Sequence, residues 1–163
     1  MAKFLYLIRH AKSDWSYDLP DFERPLNKRG FRDAPIMAER LALQNLRPDW
    51  LISSPANRAI TTAKIFAEEL KYPSDEIQEE NAIYEANVPT LLRVINAFRR
   101  EVACVALFGH NPGISLLAEY LCEKAAIDFP TSAIALLSFD IDDWQEISAG
   151  TGSLVWFNYP KLV

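Results

Sequence analysis

Histidine is nearly missing from this chain, with two among 163 residues. Cysteine and methionine are as rare, and glycine occurs five times. Cys104 and Cys122 form no C-x-x-C pair, which excludes a zinc ribbon or a dithiol redox motif; both read as buried, reduced thiols. No H-x-x-H pair or Asp/His cluster supplies metal-ligand spacing, so neither metal nor cofactor is expected. Positive charge is not in excess: 17 Lys and Arg against 22 Asp and Glu give a net charge of −5. That is the wrong sign for a chain that tracks a phosphate backbone, so no nucleic-acid partner is expected. No apolar run approaches the ~18 residues that span a bilayer. The apolar stretch Phe4 to Ile8 is too short for a signal segment, and Arg9 and His10 interrupt it. One cytoplasmic domain over residues 1–163 is therefore expected, with half the chain apolar to build its core.

Both histidines stand where chemistry is done. His10 ends the run Phe4-Leu5-Tyr6-Leu7-Ile8-Arg9, and His110 follows the run from Val102 to Phe108. Short apolar runs of this kind suit buried strands. Further strands are predicted over Asp49–Ile52, Ile77–Ile83, Ala133–Phe139 and Leu154–Phe157, with Gly150-Thr151-Gly152 as turn chemistry before the last. Helical spacing of apolar residues covers Asn27–Leu46, a segment from Ser54 to Leu70, Pro89–Arg100 and a segment from Asn111 to Glu123. Pro35 inside the first of these predicts a kink or a later start. Ser54-Pro55 and Asn111-Pro112 read as cap-plus-proline helix openings. The polar stretch Lys12–Lys28, with Pro20 and Pro25, is a long loop, and long loops in compact domains are often functional. Strands alternating with helices predict an α/β fold: a three-layer sandwich with a mostly parallel central sheet and room for an antiparallel edge.

In such sheets ligands bind beyond the carboxyl ends of the strands. Arg9 and His10, Ser54 to Arg58, and His110 with Asn111 all follow predicted strands, so Arg9, His10, Arg58 and His110 are expected to converge. Taken singly, each has an ordinary reading: a strand end meeting solvent, a surface helix arginine, a histidine bonded to a backbone carbonyl. Together, two guanidinium forks and two imidazoles suit a phosphate group. Trp15 and Tyr17 lie near enough in sequence to touch a substrate. Arg24 and Arg29 are expected to brace the loop against carboxylates, and Trp144 and Trp156 to belong to the core.

Arg9-His10-Ala11-Lys12-Ser13 with Trp15, followed by Asp21, Arg24-Pro25-Leu26 and Arg29-Gly30, resembles the signature of the histidine phosphatase superfamily, and within it the small phosphohistidine phosphatases of the SixA type. Ser53-Ser54-Pro55-Ala56-Asn57-Arg58-Ala59 and Gly109-His110-Asn111-Pro112-Gly113 resemble that branch's second and third blocks. The resemblance implies a phosphoglycerate mutase-like fold and a metal-independent phosphatase. His10 would be the nucleophile, and Arg9, Arg58 and His110 would bind the phosphoryl group. Lys12, Ser13 and Asn111 are further candidate contacts. Glu85 is the candidate proton donor, although SixA-type proteins show no clear acid. The implied substrate is a phosphohistidine on a protein such as a histidine phosphotransfer domain. A small phosphoester hydrolase or mutase, and a phosphate-binding module without catalysis, are the alternatives.

Overall fold

The computed structural model describes residues 2–123 and 126–162. Six strands form one sheet: β1 (Lys3–Arg9), β2 (Trp50–Ser53), β3 (Gln78–Glu79), β4 (Cys104–Gly109), β5 (Ile134–Phe139) and β6 (Gly152–Asn158). Their order across the sheet is β3-β2-β4-β1-β5-β6. The first four run parallel; β5 runs against β1, and β6 against β5, which supplies the antiparallel edge. The helices are α1 (Lys28–Ala42), α2 (Asn57–Leu70), α3 (Val88–Asn96) and α4 (Gly113–Cys122).

Alternation along the strands sends side chains to two cores. Tyr6 and Ile8 of β1 join Met37 and Leu41 of α1 and Phe66 of α2. Leu5 and Leu7 join Leu91 and Ile95 of α3 and Leu117 of α4, with the fully buried Trp144 beneath them. The sheet is thus covered on both faces, as the near-continuous apolar strands require. Trp156 is only partly buried and packs at the margin of the first core. Among the described residues no helix is long and apolar enough to cross a membrane.

Several expectations shift. Helix α1 passes through Pro35 unbroken. Pro35 and Phe31, the residue whose carbonyl loses its bond, both lie on the exposed face of the helix, open to solvent. The third strand shrinks to two residues, because a 3-10 turn at Asn81–Ile83 aims Ile83 into the core. The proline-opened helices begin later, at Asn57 and Gly113, and neither Ser54 nor Pro55 belongs to the first turn of α2. Gly150 makes the expected turn before β6, with φ of 70° and the Thr151 amide donating to the Ser148 carbonyl, and a 3-10 turn at Trp144–Glu146 precedes it.

Candidate active site

Sheet register brings the two histidines together. Strands β1 and β4 are parallel neighbours, and Arg9 stands opposite Gly109. The next residue of each strand is a histidine, so both leave the sheet side by side, with ring centroids 5.2 Å apart and planes tilted by 52°. The His10 amide donates to the Gly109 carbonyl at 3.1 Å, which fixes the exit of both loops. On the other side of β4, Ser53 stands opposite Phe108, and this delivers Ser54 to the same rim.

His10 is 7% exposed, and its Nδ1 lies 2.7 Å from the Ala11 carbonyl oxygen. A carbonyl only accepts, so Nδ1 carries the proton and the Nε2 lone pair is free. Burial depresses the His10 pKa to about 3, assisted by His110, Arg58 and Arg9, and opposed by the Ala11 carbonyl. The ring is therefore neutral at physiological pH. His110 is likewise held down, to about 4, by burial first and then by Arg58. Its Nε2 lies 2.7 Å from the Ser54 Oγ. That Oγ already accepts the Ala56 amide at 3.2 Å. When the Ser54 hydroxyl donates its hydrogen to His110 Nε2, the ring proton stands on Nδ1. Ser54, expected as a helix cap, thus serves a histidine instead.

Arg58 sits in the first turn of α2 as expected and is 6% exposed. Its Nη1 donates to the Asp21 carbonyl at 2.7 Å and its Nη2 to the Asp21 carboxylate at 3.0 Å. Arg9 donates through Nη1 to the Phe129 carbonyl at 2.8 Å. Among the described residues, Arg9 Nε, Arg58 Nε and His110 Nδ1 are buried without a hydrogen-bond partner. Buried donors left in that state cost on the order of 1–3 kcal/mol each, which a native fold tolerates where a ligand satisfies them.

Asp21 organises this cluster, and sequence reasoning gave it no role beyond its place in the motif. Its Oδ1 accepts from Arg24 Nε and Nη2 at 3.1 and 2.9 Å, and its Oδ2 from Arg58 and from the Tyr84 hydroxyl at 2.6 Å. Tyr84 and the two guanidinium groups hold the carboxyl far below the ordinary range. Tyr84 in turn packs edge-on to His110 at 5.5 Å. The signal that could have found Asp21 was the 3-10 turn Asp21–Glu23, which a loop reading of Lys12–Lys28 does not resolve.

The remaining candidates divide. Ser13 is buried and its hydroxyl accepts from Arg24 at 2.6 Å, so it braces the loop with that arginine. Arg29 pairs within α1, with Asp33 at 3.5 Å, and so does not brace the loop. Lys12 is half-buried, and its carbonyl accepts from Asn27. The Asn111 side chain donates to the Phe129 carbonyl at 3.0 Å and accepts from Ser115. That amide ties the 129 loop to α4 and is turned to structure rather than to an anion. Glu85 is exposed, with φ of 54° in the left-handed region, and joins His110, Ala86 and Leu116 in lining a surface hollow of about 360 Å³.

Known proteins share this plan. The family model of the histidine phosphatase superfamily, branch 1, matches residues 5–93. An uncharacterised protein of Mycobacterium tuberculosis is 30% identical over 166 residues, covering 94% of this chain and 100% of that one. A solved structure from Agrobacterium tumefaciens, provisionally named a phosphohistidine phosphatase SixA, is 31% identical with a TM-score of 0.80, over 97% of this chain and 98% of that one. A protein histidine phosphatase SixA solved with tungstate is 26% identical with a TM-score of 0.82, over 96% and 97%. With two imidazoles and two guanidinium groups meeting at the ends of parallel strands, on a fold and a sequence shared with these proteins, this chain belongs to the histidine phosphatase superfamily, branch 1, and is SixA-like within it.

Proposed function

We propose that this chain removes the phosphoryl group from phosphohistidine in proteins, by way of a phosphohistidine formed on its own His10. The observation that carries this reading is the set of partnerless buried donors, Arg9 Nε, Arg58 Nε and His110 Nδ1, gathered around a neutral imidazole with a free Nε2. The SixA relative was solved in complex with tungstate, an oxyanion of phosphate-like shape, which supports an anionic ligand for this fold.

In the first step the His10 Nε2 lone pair attacks phosphorus, and the bond from phosphorus to the substrate's nitrogen breaks. The leaving imidazole keeps the electron pair and takes a proton from solvent or from Glu85. In the second step water attacks the His10 phosphoramidate, the new bond to phosphorus forms, the P–N bond breaks, and inorganic phosphate leaves. Arg9, Arg58 and His110 donate to the equatorial oxygens, where transition-state charge spreads. Leu116, which lines the hollow reaching His110, is 49% exposed. An open hollow beside His110 suits hydrolysis better than the water exclusion a mutase needs.

The test is to incubate the protein with a ³²P-labelled histidine-phosphorylated phosphotransfer domain and quench with base. An alkali-stable, acid-labile label on wild type, absent from His10→Ala together with phosphate release, is the expected result. Undiminished release by His10→Ala refutes the nucleophile.

A further inference from the structure

Residues 15–23 form an uninterrupted exposed run that begins five residues after the nucleophile. The run carries four large apolar side chains: Trp15 is 72% exposed, Tyr17 58%, Leu19 43% and Phe22 40%. Single exposed apolar residues need no explanation, but four in eight positions beside a reactive centre mark an interaction surface.

These side chains are not loose. The Arg24 guanidinium lies 3.4 Å from the centroid of the Trp15 ring. That guanidinium is itself clamped by Asp21 and Ser13, so one face of the indole rests on a fixed plane while the other meets solvent. Phe22 packs edge-on to Tyr84 at 5.1 Å, and Tyr84 holds the carboxylate that orients Arg58. Rigid, half-supported aromatics lose little freedom on binding, and Trp and Tyr are the usual anchors of protein contacts. The patch is continuous with the phosphoryl site through Asp21 and Tyr84.

Charge selects the occupant. The exposed run 15–23 carries Asp18, Asp21 and Glu23 and no cation, with Asp21 paired to the buried Arg24 and Arg58 and with Lys12 and Lys28 at the two ends of the loop. The cations of the site lie inside and the anions on the rim. A small free phosphoester meets a repulsive margin, whereas a basic protein surface is drawn to it.

We propose that the Trp15–Phe22 face docks a folded phosphoprotein whose phosphorylated side chain stands in an apolar surface bordered by lysine or arginine. This rests on the function proposed above. It places selectivity between phosphoproteins on the loop, outside the residues that handle phosphorus.

The test uses the whole protein, with Tyr17→Ser/Leu19→Ser as the variant, since both side chains face outward and away from the Arg24 clamp. Three substrates are compared: two histidine-phosphorylated phosphotransfer domains, one with a basic and one with an acidic margin, and phosphoramidate itself. In the variant, kcat/KM for the basic domain is expected to fall at least ~10-fold, with phosphoramidate turnover changed less than ~2-fold. The wild-type preference for the basic domain should weaken as salt rises from 50 to 500 mM (about a Debye length of 14 Å to 4 Å). Equal losses on the basic domain and on phosphoramidate, or an unchanged rate on the basic domain, overturn the docking face. So does a wild type that hydrolyses phosphoramidate but no phosphoprotein, or a patch that instead mediates self-association lost in the variant. A wild type that forms no phosphoenzyme from any substrate refutes the catalytic reading instead, and the docking face falls with it.

Discussion

Ser54 shows how one hydroxyl can decide what a neighbouring imidazole is for. It accepts the Ala56 amide and lies 2.7 Å from His110 Nε2, and by donating its hydrogen there it holds the ring proton on Nδ1. Ser54→Ala removes that hold without touching phosphorus. The expected outcome is a loss of about 10-fold in kcat, below the ~10²–10³ of deleting an oxyanion donor outright, because the His110 ring remains. Ser54→Thr should retain most of the activity, and ¹⁵N NMR of the His110 ring should report the tautomer shifting in Ser54→Ala alone; an unaltered ring spectrum removes Ser54 from this role. Arg9, His10, Arg58 and His110 were all legible from sequence, because each follows an apolar run. Asp21, Tyr84 and this use of Ser54 were not, since their partners lie 37, 63 and 56 positions away.

Elements reach the site only where their backbones come close enough, and Gly30 is one such place. A Cβ built there would stand 2.2 Å from the Lys12 carbonyl oxygen, two residues beyond the nucleophile. Gly30→Ala gains helix propensity of about 1 kcal/mol in α1. Overpacking against backbone costs about 1–3 kcal/mol, so the steric effect is the larger. A Tm lower by a few degrees is expected by calorimetry. A reduced kcat should accompany it, because the displaced backbone belongs to the loop after His10; a raised Tm would show that the loop yields freely. The same scale explains the partial reading of the fold. Long apolar runs marked β1 and β4 to within two residues at either end, since burial on both faces leaves no polar interruption. Strand β3 has two exposed residues and no such signature, so its extent is set by pairing with β2 alone.

Across the whole molecule the two histidines couple folding to pH. Both have folded-state pKa values depressed well below the unfolded value near 6.5. Between those limits the unfolded chain binds more protons than the folded one, so stability rises with pH. Urea midpoints should therefore fall as pH drops from 6.5 toward 4, by at most about 1.4 kcal/mol per unit for each ring. Asp21, whose carboxyl is held low, adds a loss only below about pH 4. His10→Gln should flatten the upper window by about half; an unchanged slope would mean that the ring charges in the folded state. Apolar runs and the placement of Arg9, His10, Arg58 and His110 after them were enough to determine an α/β fold that gathers these four side chains, because strand ends are encoded locally. The proton placement on each imidazole, the Asp21 clamp and the supported aromatic face were decided by tertiary structure, because each depends on register between β1, β2 and β4 and on a loop folding back over them.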